Sequence, residues 1–145
     1  MKQTILLLIT AAGLLAGTGC ERERFPLELE RFDVYWYDLD RDGYRTPADE
    51  VEFDIVANTT DPDPDDQFII EWELTYEVNG RFGGILQGDE GIRSNALNIN
   101  AIIGIEFLNY PGPGQFEPGD RIEFRFWAVD NRGTQIERFY SFVLE

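Results

Sequence analysis

Apolar residues recur at every second position along most of the chain. Phe32, Val34 and Trp36 form one such set and Val51, Phe53 and Ile55 another. A longer one runs through Phe68, Ile70, Trp72, Leu74, Tyr76 and Val78, and Ile122, Phe124, Phe126 and Ala128 follow later. Polar or charged residues fill the alternate positions, as expected of strands with one buried and one wet face. The punctuation agrees. Asn79-Gly80 predicts a hairpin, residues 111–114 (PGPG) a loop, Pro118-Gly119-Asp120 a strand start, and residues 130–133 (DNRG) a tight turn into a last strand over 134–144. Within residues 92–107, Leu97, Ile99, Ala101, Ile103, Ile105 and Phe107 keep the period of two, although Ala96, Asn100 and Ile103 also fall near helical spacing. That segment predicts a strand with a bulge at Gly104. No segment carries a sustained helical stripe with caps at both ends.

Seven or eight short strands in about 115 residues predict an all-β chain folded as a single antiparallel β-sandwich. A chain of this length can bury roughly two thirds of its unfolded surface in one core. Residues 116–142 (FEPGDRIEFRFWAVDNRGTQIERFYSF) resemble the penultimate and last strands of bacterial immunoglobulin-like extracellular modules, with a GD turn, an alternating strand ending in A-x-D and an N-x-G hairpin. The resemblance implies an immunoglobulin-like sheet order. A jelly roll has similar strand statistics and is the alternative.

The amino terminus reads differently. Lys2 precedes an apolar run of 11 residues, 5–15 (ILLLITAAGLL), and small residues 16–19 (AGTG) lead into Cys20. As a helix that run would rise about 16 Å, roughly half of a bilayer core, so it predicts a signal-peptide segment rather than a membrane span. The segment resembles a bacterial lipoprotein signal, with Gly17 standing where a leucine is usual. The resemblance implies removal of residues 1–19, lipidation of Cys20, a tether over 20–28 and a sandwich domain over 29–145. Glu21, where aspartate would direct inner-membrane retention, implies the outer membrane or cell surface of a bacterium. An ordinary secretory signal followed by a free thiol is the other expectation.

Composition then removes most chemistry. The 145 residues include 28 Asp plus Glu, 12 Lys plus Arg, no His and one Cys, for a net charge of −16. Lys2 is the only lysine, so the chain beyond residue 19 has 11 arginines and a net charge of −17. Without His there is no imidazole base and no His-containing zinc site, and without a mature Lys there is no Schiff-base amine. One Cys forms neither an internal disulfide nor a CxxC pair. So acidic a surface repels phosphate backbones, which argues against nucleic acid as a partner. Carboxylates remain, for hard cations, carbohydrate or plain solvation.

One group of carboxylates has a spacing with chemical meaning. Residues 38–49 read DLDRDGYRTPAD, with Asp38, Asp40 and Asp42 at loop positions 1, 3 and 5, Gly43 at 6 and Tyr44 at 7. Thr46 stands at position 9 and Asp49 at 12. Calcium takes six to eight oxygens, and alternate acidic side chains on a chain curling round a glycine converge on one point. Tyr44 would supply its carbonyl, and Thr46 would act directly or through water. Aspartate at position 12 resembles the calcium loops of dockerins and thrombospondin type 3 repeats, which implies Asp38, Asp40, Asp42, Tyr44, Thr46 and Asp49 as the ligand set. Alternation on both flanks predicts that the loop joins two strands, with affinity in the weak extracellular range of about 0.1 to 1 mM.

Other features predict less. Asp61, Asp63, Asp65 and Asp66 lie in a proline-stiffened run (DPDPDD) that reads as a solvated loop rather than a second ion site. Glu71, Glu73 and Glu77 read as the wet face of the long strand. Tyr35, Tyr37 and Trp127 fall opposite the main apolar alternation and are candidate stacking platforms for sugar rings, with packing against a second layer as the plainer account. The sequence thus predicts a non-enzymatic surface lipoprotein with a calcium-stabilised module, held to a membrane by its lipid and serving adhesion, assembly or an accessory role toward a protein or glycan partner. A carbohydrate-binding lipoprotein is the alternative, and a small hydrolase using two carboxylates a distant third.

Overall fold

The alternation is realised as strands β1 (Leu27–Tyr37), β2 (Glu50–Thr59), β3 (Ile69–Val78), β4 (Arg81–Ser94), β5 (Ala96–Gly104), β6 (Arg121–Asp130) and β7 (Gln135–Val143). The computed structural model describes residues 25–145, so the expected signal segment and the lipidation site Cys20 lie outside the described residues. All pairings are antiparallel, in one sheet of order β1-β2-β5 and another of order β4-β3-β6-β7. The first three strands of an immunoglobulin constant domain's one sheet (A, B, E) match β1, β2 and β5, and its C, F and G match β3, β6 and β7. The remaining strand, β4, pairs with β3 rather than continuing beyond β5. This seven-strand order is an immunoglobulin-like β-sandwich and not the eight-strand double Greek key of a jelly roll.

Why the sheets close is visible in the inward residues. Val51, Phe53, Ile55 and Ala57 of β2 and Ile122, Phe124, Phe126 and Ala128 of β6 are all fully buried. They are the central strands, hydrogen-bonded on both sides, and their strict period of two turns one complete face to the opposite sheet. Aromatic rings bridge the layers: Phe53 meets Phe124 at 5.0 Å between centroids, and Trp36 meets Phe142 edge-on at 4.8 Å. Among the described residues the core cluster runs from Leu27 to Leu144.

Three details differ from the sequence expectation. The fold starts at Leu27 rather than at 29, because Leu27 is buried and pairs with Thr59. In β3 the buried residue is Ile69, not Ile70; a register irregularity between Ile69 and Glu71 makes Ile70 the extra residue and reverses the facing ahead of it. The strand expected over 92–107 is divided: β4 ends at Ser94, β5 ends at Gly104, and a single 3-10 turn covers Ile105–Phe107. That turn forms because the Ile105 amide donates to the Asp49 carbonyl at 3.0 Å, which drops the Ile105 side chain into the core and leaves Phe107 78% exposed.

Tyr76 ties β3 to the chain between β5 and β6. Its buried hydroxyl donates to the Asn109 carbonyl and accepts from the Asn109 amide, both at 2.9 Å. The ring that reaches this point lies flat against β4, where a Cβ on Gly83 would sit 2.1 Å from the ring carbon Cε2. Gly83→Ala is therefore expected to cost about 1–3 kcal/mol, the usual penalty of overpacking against a fixed side chain. A urea midpoint unchanged by this substitution would refute the close ring contact.

Candidate metal centre

The loop between β1 and β2 begins one residue after Tyr37, where the half-buried Trp36 has just packed against Phe142 and the chain must turn back. It reverses through two residues of positive φ, Arg41 (60°) and Gly43 (81°). Each aspartate then accepts an amide further along the loop. Asp38 Oδ2 accepts from the Gly43 amide at 2.9 Å, Asp40 Oδ1 from Asp42 at 3.2 Å, and Asp42 Oδ1 from Tyr44 at 2.7 Å. These bonds consume one oxygen of each carboxylate and curl the chain so that Asp38, Asp40 and Asp42 each bring an oxygen within 4.8 Å of the others. Asp38 Oδ1 is buried and accepts no hydrogen bond. A buried carboxylate oxygen without a donor is unfavourable by itself, since it has given up its hydration for nothing.

The electrostatics point the same way. Partial desolvation in the loop holds the Asp40 carboxyl above its ordinary value, and the charges of Asp42 and Asp49 and a hydrogen bond with Asp38 add to the rise, against the opposing Asp42 amide. Among the described residues, none of the three aspartates forms an ion pair with an arginine. Arg45, close in sequence, instead lies over the Trp36 ring at 5.7 Å.

The other expected ligands are placed differently. Asp49 is fully buried and stands apart from the trio. Its Oδ1 accepts from the Leu39 amide at 3.0 Å and its Oδ2 from the Thr46 amide at 2.8 Å, so it clasps both ends of the loop. Thr46 Oγ1 donates to Asp49 Oδ2 at 3.4 Å and accepts from the Ala48 amide at 3.3 Å. Tyr44 has an exposed ring, and among the described residues its carbonyl accepts no hydrogen bond.

The second acidic run makes an instructive contrast. In the β2–β3 loop, Asp61 Oδ1 accepts from the Asp63 amide at 2.8 Å and Asp63 Oδ1 from Asp65 at 3.0 Å, repeating the local geometry of the first loop. Here, however, Arg132 donates to Asp61 at 2.7 Å and also approaches Asp66, and Arg93 pairs with Asp65. Residues 62–66 of this run are exposed, as the sequence predicts for a solvated loop. The loop is also pinned by the fully buried Gln67, which donates to the Phe25 carbonyl and to Asp130, and by Asn95, which donates to the carbonyls of Pro64 and Gln67. The burial of Gln67 and Asp130 follows from contacts distant in sequence, and the only sequence clue to Asp130 was the DNRG turn.

Of the aromatic candidates, Tyr35 and Tyr37 lie exposed on the outer face of β1-β2-β5, while Trp127 is half-buried on the outer face of the other sheet, opposite Glu73 and Glu137. The structure does not bring the three together. Tyr37 donates to Glu52, and Asn100 donates to the other oxygen of Glu52 at 2.7 Å, which holds the Glu52 carboxyl below and the Tyr37 hydroxyl above their ordinary values. A shallow depression over β3 and β4 gathers Glu71, Glu73, Asp89 and Glu90 beside Trp72 and Ile85. Asp89 and Glu90 are exposed there, whereas Glu71 and Glu73 are half-buried.

Comparison with family models, with curated proteins and with solved structures gave no match.

Asp49→Ala would leave the Leu39 and Thr46 amides without their acceptor. The expected loss is about 1.5–3 kcal/mol, the scale of hydrogen bonds to a charged group, with calcium or with chelator present alike. Urea unfolding in both conditions checks this; a loss confined to the calcium condition would instead make Asp49 a ligand.

Proposed function

We propose that this chain is a non-enzymatic bacterial surface lipoprotein, anchored through Cys20 in the outer membrane, whose immunoglobulin-like module binds calcium in the β1–β2 loop and serves adhesion, assembly or an accessory role. One observation carries the ion: Asp38, Asp40 and Asp42 converge within 4.8 Å, and Asp38 Oδ1 is buried without a donor. The contrast between the two loops supports it. Where Asp61 and Asp66 need a counter-charge the protein supplies Arg132; at Asp38, Asp40 and Asp42 none of the described residues does, and a hard divalent cation meets the same need. The Tyr44 carbonyl and water would complete the oxygen shell, and Asp49 would hold the loop in its closed form. The non-enzymatic reading is supported by the fully buried carboxylates, Asp49 and Asp130, since the oxygens of both are taken up by backbone amides and Gln67 and neither offers a free general acid.

The amino-terminal pattern supports the anchor. Lys2, the apolar run 5–15 and the small residues 16–19 ahead of the only cysteine form the signal described above.

The test is a thermal melt of residues 21–145 in EDTA and in about 1 mM calcium. With a Kd of about 0.1 mM, calcium is expected to stabilise the fold by about 1.4 kcal/mol. That corresponds to a rise of roughly 3–8 °C in Tm for a domain of this size. Asp40→Asn should remove most of the rise. Identical melts in EDTA and calcium would end the calcium proposal.

A second reading, glycan binding, keeps one supporting observation: the ordered Tyr37–Glu52–Asn100 hydrogen-bond chain beside the exposed Tyr35 ring. A planar ring next to fixed polar groups is what a sugar face requires. On a glycan array the expected signal would fall at least about tenfold, 1.4 kcal/mol, in Tyr35→Ala. An array without any signal for the wild-type domain would dispose of it.

A further inference from the structure

The sandwich has four edge strands, and three of them carry the usual protections against pairing with another chain. β1 has a register irregularity between Leu29 and Arg31 and exposes Glu28, Glu30 and Asp33. It also packs against β7, which exposes Glu137 and Arg138, so these two edges cover one side of the sandwich together. On the other side β4 is broken by three irregularities and bears Arg81, Asp89, Glu90 and Arg93.

β5 has none of these devices. It pairs with β2 in unbroken register from Ala96↔Asn58 to Gly104↔Glu50, contains no proline and bears no charge. The uncharged stretch extends over residues 94–105 in a chain of net charge −16, between Arg93 and Glu106. Among the described residues no strand covers its outer edge. Its inward residues Leu97, Ile99 and Ala101 are buried, and its outward residues are Asn98, Asn100 and Ile102, the last 59% exposed.

We propose that β5 pairs antiparallel with β5 of a second copy of this chain, joining the two three-stranded sheets into one of six strands across a two-fold axis at Asn100. The choice of occupant rests on charge. A strand from the acidic remainder of the surface would be repelled, whereas β5 brings no charge of its own. Antiparallel pairing about Asn100 also keeps the charges that bound the uncharged stretch, Arg93 on β4 and Glu106 in the 3-10 turn, outside the paired strands. Parity agrees as well. Pairing about Asn100 puts Asn98 opposite Ile102 and Leu97 opposite Ile103, which keeps the apolar face continuous on the core side. The inference rests on neither the anchor nor the calcium site.

Sedimentation velocity of residues 21–145 at about 10–200 µM in moderate salt tests it, because weak association with a Kd in the micromolar range is populated there. The expected result is a monomer–dimer equilibrium that tightens with salt as the like net charges are screened. Asn100→Lys sets two ammonium groups against each other on the axis and should weaken the dimer at least about tenfold, 1.4 kcal/mol, although it lowers the net negative charge. Asn98→Lys should weaken it also, and Ile85→Lys on β4 should leave it unchanged. A monomer at every concentration and salt overturns the proposal, as does a dimer that persists in both asparagine variants. Circular dichroism melts of each variant guard against loss of fold.

Discussion

Two buried aspartates set the ends of this molecule. At one pole Asp49 accepts the Leu39 and Thr46 amides, and its carbonyl receives the Ile105 amide, so one residue fixes the β1–β2 loop and terminates β5. At the other pole Asp130 accepts the Arg132 and Thr134 amides at 2.9 and 2.7 Å, and Gln67 donates to its second oxygen. Neither carboxylate relies on an arginine. Backbone amides are rigidly placed donors and lose little entropy on bonding, so a buried carboxylate satisfied by two or three of them is stabilised without a second charge having to be desolvated. The loops that carry the chemistry are ordered because these two residues are.

From that constraint follows the difference between the two acidic runs. Both curl through aspartates that accept amides two residues on, which is local turn chemistry available to any D-x-D sequence. What separates them is long-range. The β6–β7 turn, held by Asp130, delivers Arg132 to Asp61 from 71 residues away. Among the described residues no corresponding arginine reaches Asp38, Asp40 or Asp42, and Asp38 Oδ1 has no donor there. The first loop has arginines of its own, Arg41 and Arg45, but Arg45 lies over the Trp36 ring and neither forms an ion pair with the trio among the described residues.

Much of the fold was legible because burial has a period. The strict alternation in 51–57 and 122–128 fixed which residues of β2 and β6 face inward, and Asn79-Gly80 fixed the hairpin into β4. Alternation fails where non-local pairing overrides it, as at Phe107, exposed by the turn that the Ile105–Asp49 bond starts, and at Ile70, where the pairings of β3 with β4 and β6 are both irregular. The D-x-D-x-D-G spacing identified the converging trio, since that geometry is local. It did not reveal that Asp49 turns inward, because position 12 in a loop between strands is governed by the return into β2 and not by a following helix. Nor did it separate Tyr35 and Tyr37 from Trp127: period two says that a side chain points outward, and never from which sheet.

The proposed pairing of β5 has a geometric consequence for an anchored chain. Residue 25 lies at the Gln67 pole, and β5 runs in the same direction as β1, since both are antiparallel to β2. Antiparallel β5 pairing therefore sets the Gln67 pole of one copy beside the Asp49 pole of the other. The 11 residues of β1 span about 36 Å between the poles at strand rise. Six residues, 20–25, reach at most about 20 Å even when fully extended. Two tethers of that length together exceed one strand length, so a pair of chains held at residue 20 would lie with its strands along one membrane or stand between two facing ones. An uncharged edge in a strongly acidic surface is then suited to contact between particles that otherwise repel, because pairing becomes favourable only at the short range where strands meet, well inside the screening length.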